Sequence, residues 1–356
     1  MRLLAGPDQA RWDGRARRPV RRAAGVAATV TGLILVAGCQ FTGTGSSTGS
    51  GSDASGTITV VAPPGVADAP LYVGIRDGIF TRAGLTVKVV PAPSAGQAPS
   101  ARQAVAALGH GSADIVFADY ADMFYAQELK PSPHLLAVAD GYDAGPSVME
   151  ILTLPGSSIV SPKELTGTRI GTDEAQLMPT TGRPRPYSQD TLAAWSVLQS
   201  DNVDQSTIHW DPMPATSLLG ALKSHQVDAI LATEPTIYEA ESQLGAVPVL
   251  DACTGATANL PLYGYFTNKA YADRNARVLT AFRAALEKAQ AQASMAAPLQ
   301  TALTKSAGLK PQTAALVTLG TYPTTLSAPN IQRVVNLLFF FNALGATLNV
   351  PSIVFK

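Results

Sequence analysis

The sequence predicts an α/β protein built as two lobes, and three observations carry that expectation. From Thr57 onward, short apolar runs alternate with stretches of helical periodicity, the pattern of strands joined by helices in largely parallel sheets. About 300 residues follow that point, more than a single core usually serves. The series of strands also restarts near Val148.

Before Thr57 the chain reads as targeting and spacer. Arg15, Arg17, Arg18, Arg21 and Arg22 form a basic start, and an uncharged apolar run from Ala23 to Gly38 leads into Cys39. The run falls short of the roughly 20 residues of a membrane-spanning helix, so residues 1–38 read as a secretory signal. Small residues directly before Cys39 resemble the bacterial lipobox, in which the thiol takes up lipid, palmitate included, and the peptide is cut just before it. The alternative is an ordinary cleaved signal with an incidental cysteine. Arginine pairs at 17–18 and 21–22 leave the twin-arginine export route open. Residues 39–56 are almost entirely Gly, Ser and Thr after the first few positions and read as a flexible tether.

Strands are expected at Ile58–Ala62, Thr86–Pro91, Ala113–Ala118, Leu135–Ala139 and Val148–Leu152. The second series runs through Thr168–Thr172, Thr207–Asp211, Val227–Ala232 and Ala246–Leu250, with Leu262–Thr267 leading out. The C-terminal third is helical by period: Val278, Phe282, Leu286 and Ala289 share one face, as do Ile331, Val334, Val335 and Leu338, with Gly345 as the stop. Ala107, Leu108, Asp114 and Ala118 recur at the same spacing as Ala221, Leu222, Asp228 and Ala232. This short echo suggests two related units, although four positions also recur by chance.

Composition narrows the function. Of 26 basic and 26 acidic side chains, seven arginines and two aspartates leave with residues 1–38, so 19 basic and 24 acidic remain. A mildly acidic body with no basic stripe argues against nucleic acid. Cys253 is then the only cysteine besides Cys39, which excludes a disulfide within the body and reads best as a small buried residue. His110, His134, His209 and His225 lack metal-ligand spacing, and no Gly-rich phosphate loop is present. Gly45-Ser46-Ser47-Thr48-Gly49 matches a nucleophile-elbow pattern but lies in the spacer, without the flanking strand and helix such an elbow requires. No cofactor, metal or catalytic residue is expected.

Ala69-Pro70-Leu71-Tyr72-Val73-Gly74, Asp77-Gly78-Ile79-Phe80 and Ala83-Gly84-Leu85-Thr86-Val87 resemble the opening of the solute-binding proteins of ABC importers for nitrate, sulfonates, taurine and thiamine-precursor pyrimidines. Four further segments follow in that family's order: Ala104–Phe117, Pro162–Gly171, Leu218–Ile230 and Thr233-Glu234-Pro235. The resemblance implies the type II periplasmic-binding-protein fold, with one ligand enclosed between two hinged lobes. Lobe one would be 57–147 plus 253–356, and lobe two 148–252. It further implies a monomeric lipoprotein on the extracytoplasmic face of the cell membrane that hands its ligand to permease subunits. Two other readings stay open: an enzyme of the same fold acting on a pyrimidine precursor or small acid, and a ligand-sensing lipoprotein for a membrane receptor.

Ligands in parallel α/β sheets sit outside the carboxyl ends of strands and at helix N-termini. The resemblance then points to Ser94, Ala95, Gly96, Asp119 and Tyr120 in lobe one, and to Thr172, Asp173, Ser188, Met213 and Glu234 in lobe two. Ser94 and Ser188 read equally well as helix caps, and Asp119 and Glu234 as surface carboxylates. Acidic groups would repel a small anion and pair with an amine or an N–H-bearing ring. Tyr72, Tyr120 and Tyr263 offer stacking surfaces. Residues 174–187 depart from the family as a Pro-rich insertion carrying Arg183 and Arg185, either a lid reaching an anionic group or a solvated excursion.

Overall fold

The computed structural model describes residues 56–90, 98–173 and 188–356. The expected signal, Cys39 and the tether up to Ser55 lie outside them. Among the described residues the strands form two five-stranded sheets. The first contains β1 (Gly56–Val61), β2 (Leu85–Val90), β3 (Ile115–Asp119), β4 (Leu135–Asp143) and β10 (Pro261–Asn268), in the order β2-β1-β3-β10-β4. The second contains β5 (Met149–Thr153), β6 (Arg169–Asp173), β7 (His209–Met213), β8 (Ala229–Thr233) and β9 (Val247–Asp251), in the order β7-β6-β8-β5-β9.

The two sheets share one plan. Each has a parallel trio, β2-β1-β3 or β7-β6-β8, followed by an antiparallel pair. The expectation of largely parallel sheets is therefore corrected to mixed ones. Its physical reason is connectivity: β5 and β10 are entered straight from the other sheet, without the crossover helix that forces parallel pairing.

Helices cover both sheets. They are α1 (Ala69–Arg76), α2 (Ile79–Arg82), α3 (Ala101–Gly109), α4 (Tyr120–Gln127), α5 (Gln189–Ser200), α6 (Ala215–Lys223), α7 (Thr236–Leu244), α8 (Lys269–Ala293), α9 (Ala296–Lys305), α10 (Pro311–Leu316) and α11 (Ala328–Phe340). Along α8 the buried face is Leu279, Phe282, Ala285, Leu286 and Ala289, with Leu279 taking the place expected of Val278. Phe282 stacks on Phe80 with ring centroids 5.4 Å apart, fixing α8 against α2. On α11 the buried residues are Ile331, Val334, Val335 and Leu338. That helix ends before the expected stop at Gly345, because Asn342 takes up a left-handed φ of 56° just past its end. The chain returns to the first sheet at its end, where the amide of Phe355 donates to the Ala137 carbonyl at 2.8 Å.

The short sequence echo marks a repeated joint. Asp114 lies just before β3, and its carboxylate accepts from the Thr59 amide of β1 at 2.8 Å. Asp228 lies just before β8, and its carboxylate accepts from the Arg169 amide of β6 at the same 2.8 Å. In both halves the backbone completes the clamp, Asp114 N–H donating to Thr59 and Asp228 N–H to Arg169. The clamp therefore sets where the central strand begins against its parallel neighbour. Asp114 is half-buried and Asp228 exposed. Replacing Asp114 by Ala should cost about 1.5–3 kcal/mol, the worth of a hydrogen bond to a charged group. Asp228→Ala should cost less, because water competes for that bond. Urea unfolding of the two variants measures the difference, and equal losses would contradict this account.

Candidate functional site

The carboxyl ends of β1, β3, β6 and β8 converge on a cavity of about 360 Å³ between the two sheets. One wall comes from the loop Pro63–Asp68 after β1, together with Phe117, Asp119, Asp122, Tyr142 and Tyr263. The other comes from Asp173, Ser188, Asp190, Thr233, Glu234 and Pro235, while Ala307 and Leu309 close one side. Phe117 and Tyr263 stack with centroids 5.4 Å apart and planes 14° from parallel, giving the cavity an aromatic face. Its volume suits a small organic molecule.

Six carboxylates line this space, and no Lys, Arg or His is among its described lining residues. Most of these acids answer a helix N-terminus, whose free amides need acceptors. Asp119 accepts from the Asp122 amide of α4 at 3.0 Å. Asp173 accepts from the first amide of α6, Ala215, at 3.1 Å. Glu234 accepts from Tyr238 of α7 at 3.1 Å through one oxygen and from Thr318 at 2.8 Å through the other. The Ala101 amide at the start of α3 bonds to Asp122, and Ser188 caps α5 by accepting from Thr191 at 3.2 Å. The helix ends that would otherwise greet an anionic ligand are thus met by the protein's own oxygens.

Burial makes Asp119, Asp122 and Glu234 easier to protonate than free carboxylic acids. Burial first, then the charges of Asp122 and Asp190, push the Asp119 carboxyl well above the usual range. Burial pushes Asp122 up to about 6, and burial also raises Glu234. The Tyr263 hydroxyl is raised by burial and then by Asp190, Asp119, Asp173 and Asp122, which marks these four as one negative cluster around it.

Two side chains tie the sheets together beside the cavity. Gln189 on α5 is fully buried; it accepts from the Ala121 amide of α4 at 3.2 Å and donates to the Pro261 carbonyl of β10 at 2.6 Å. Glu234 reaches from the end of β8 to Thr318, on a segment held to β4 by the Asp143–Thr321 bridge. Gly320 is required in that segment, since a Cβ there would meet the Asp143 carbonyl oxygen at 2.2 Å.

The structure brings Asp119, Asp173, Ser188, Glu234 and Tyr263 of the expected site residues around one cavity. Tyr120 and Thr172 lie elsewhere. Tyr120 is fully buried, packed edge-on to Phe266 with its hydroxyl 3.0 Å from Asp140, so it offers no stacking surface. Thr172 is buried within β6, one residue before the cavity. Met213 lines a separate depression with Arg169 and Asp211. Tyr72 is not on the cavity wall; its hydroxyl donates to the Ala62 carbonyl at 3.3 Å. Ser94, Ala95, Gly96 and the insertion 174–187 lie outside the described residues. Sequence reasoning missed Asp68, Asp122, Asp190 and Tyr142. For Asp122 and Asp190 a signal existed, an acid in the first turn of a helix that follows a strand or a capping serine.

The family described as NMT1/THI5 like matches residues 67–301. Among solved structures, the chain is similar to the periplasmic aliphatic sulphonate binding protein SsuA from Escherichia coli, with 17% identity, a TM-score of 0.64, and coverage of 84% of this chain and 92% of that one. It is similar also to the periplasmic nitrate-binding protein NrtA from Synechocystis PCC 6803, with 13% identity, a TM-score of 0.62, and 83% and 84% coverage. The desulfurization enzyme DSZB shares the fold as well, with 14% identity, a TM-score of 0.63, and 84% and 96% coverage. No curated protein matches the chain in sequence.

Asp122 predicts a pH signature for the ligand-free protein. Its carboxyl holds a proton to about pH 6 when folded but loses it near pH 4 when unfolded. Its contribution to stability is therefore full below about pH 4 and is lost as the pH rises through about 6. Asp122→Asn should keep the Ala101 bond and flatten that part of the profile. Thermal midpoints of both proteins from pH 4 to 7 measure it; parallel curves would refute the assignment.

Proposed function

The chain belongs to the NMT1/THI5-like family, and from that premise we propose that it is a solute-binding lipoprotein that captures a small nitrogenous molecule outside the cytoplasm and passes it to a membrane permease. The observation that carries the reading is the cavity between two sheets, lined by carboxylates whose amide-rich surroundings are already answered from within. Such a cavity repels sulfonate or nitrate and favours an amine or a ring bearing N–H donors, with Phe117 and Tyr263 as the stacking face. In this it differs from what the names of its sulphonate- and nitrate-binding structural neighbours suggest.

The two sheets serve as the cores of two lobes, joined where β4 runs to β5 and where β9 runs to β10. A ligand touching both walls stabilises the closed arrangement by its extra contacts there, and a permease recognises that shape. Cys39 takes the lipid, and the tether keeps the body near its membrane partner at high effective concentration.

Turnover is the weaker reading. The cavity's one described serine, Ser188, caps α5. Cys253 is buried outside the cavity, with its thiol pushed up to about 12 by burial and by Asp251, which opposes a reactive thiolate.

Two experiments test the proposal. Mass spectrometry of whatever copurifies with the full chain should find a nitrogen-containing molecule that raises the thermal midpoint when added back. Tight calorimetric binding of nitrate or an alkanesulfonate, with no response to aminopyrimidines, would overturn it. Cys39→Ser should release the protein from membranes with ligand affinity unchanged; a variant that stays bound would refute lipidation at this position.

A further inference from the structure

Asp68 stands apart from the other cavity carboxylates. The loop Pro63–Asp68 carries it from the end of β1 to the start of α1, and it is 1% exposed on the cavity wall. Although it occupies the position before α1, its side chain makes no bond to that helix's amides. Oδ1 accepts from the Gly65 amide at 2.8 Å, and Oδ2 is buried with no hydrogen-bond partner. Among the described cavity carboxylates it is the one with such an orphaned oxygen. The titratable groups facing it are three tyrosines: Tyr72 of α1, Tyr265 of β10, and Tyr322 between α10 and α11. Tyr72 donates to the Ala62 carbonyl and Tyr322 to the Val66 carbonyl at 2.7 Å, so neither of these hydroxyls is given to Asp68.

A buried carboxylate without a partner is costly and is relieved by a proton or by a cation. The described lining of the cavity offers no cationic side chain. Nor do any three His, Cys, Asp or Glu among the described residues converge to hold a metal ion. We propose that Asp68 is the specificity-determining residue of the cleft and that the ligand carries a protonated nitrogen, an amidinium or ammonium attached to a small ring, which pairs with this carboxylate. This rests on the solute-binding reading and narrows it from nitrogenous to cationic.

In the empty cleft burial holds Asp68 protonated well above the usual carboxylate range. The cation enters, the carboxyl ionises against it, and its proton leaves for solvent. Affinity for a permanent cation should therefore rise with pH by up to about tenfold per unit while that proton is displaced.

Calorimetry on the full chain with three ring-sized probes tests this: benzamidine as the cation, benzamide as its neutral counterpart, benzenesulfonate as an anion. Benzamidine should bind about tenfold or more tighter than benzamide, the scale of a charge-assisted hydrogen bond. Titration in two buffers of different ionisation enthalpy should show a proton released with it. Asp68→Asn should erase the preference and the release. Proton release is read on the unaltered protein, so it decides the matter even where that variant does not fold. Equal binding of benzamide, no proton release, a preference that survives in Asp68→Asn, or no binding by any probe overturns the assignment. If a neutral nitrogenous molecule still copurifies, the solute-binding reading stands. Benzenesulfonate binding tightest of the three overturns both.

Discussion

Negative charge removed from water without a cation beside it is the constraint around which this protein is arranged. An isolated buried carboxylate costs several kcal/mol, yet six acidic side chains, Asp68 buried and the others half-buried, line one cavity. The fold meets this cost with backbone amides. Asp119, Asp122, Asp173 and Glu234 each take a hydrogen bond at the start of a helix, where aligned peptide dipoles and unpaired N–H groups favour an acceptor. Each such cap is worth about 1 kcal/mol, and together they fix where α3, α4, α6 and α7 begin. The cavity wall and the helix starts are thus one structure, and altering either disturbs the other.

The same economy governs the joints between the sheets. Gln189 uses both ends of its amide, one toward α4 and one toward β10, in a fully buried position. Glu234 caps α7 with one oxygen and holds Thr318 with the other. A ligand shifts the relation between two lobes only by as much as its contacts differ between their arrangements. Ties of this kind set the baseline against which such contacts act.

Much of this was legible in the sequence. The ten strands among the described residues are each expected from the sequence, because buried strands of apolar residues bounded by polar turns leave a clear pattern. Four ends err in the same way: strands placed to end at Ala118, Thr172, Ala232 and Leu250 run on to Asp119, Asp173, Thr233 and Asp251. The apolar run stops one residue early because the last paired residue faces the cleft or its margin and is polar. The same effect hid the end of β4, where Asp140, Tyr142 and Asp143 stay paired to β10 across register shifts. The antiparallel course of β5 and β10 left no local trace, since direction depends on where the chain comes from. Within the site, residues at strand ends were readable from topology, whereas Asp68 was not. Its isolation depends on Tyr72, Tyr265 and Tyr322 gathering from three distant segments.

The repeated clamp of Asp114 on β1 and Asp228 on β6 bears on how such a protein changes over time. Both clamps sit at the ends of the strands away from the cleft, so the stems are fixed independently of the loops they carry. A change confined to a cleft loop therefore leaves both clamps in place. The fold they hold is shared by proteins only 17% or 13% identical to this one.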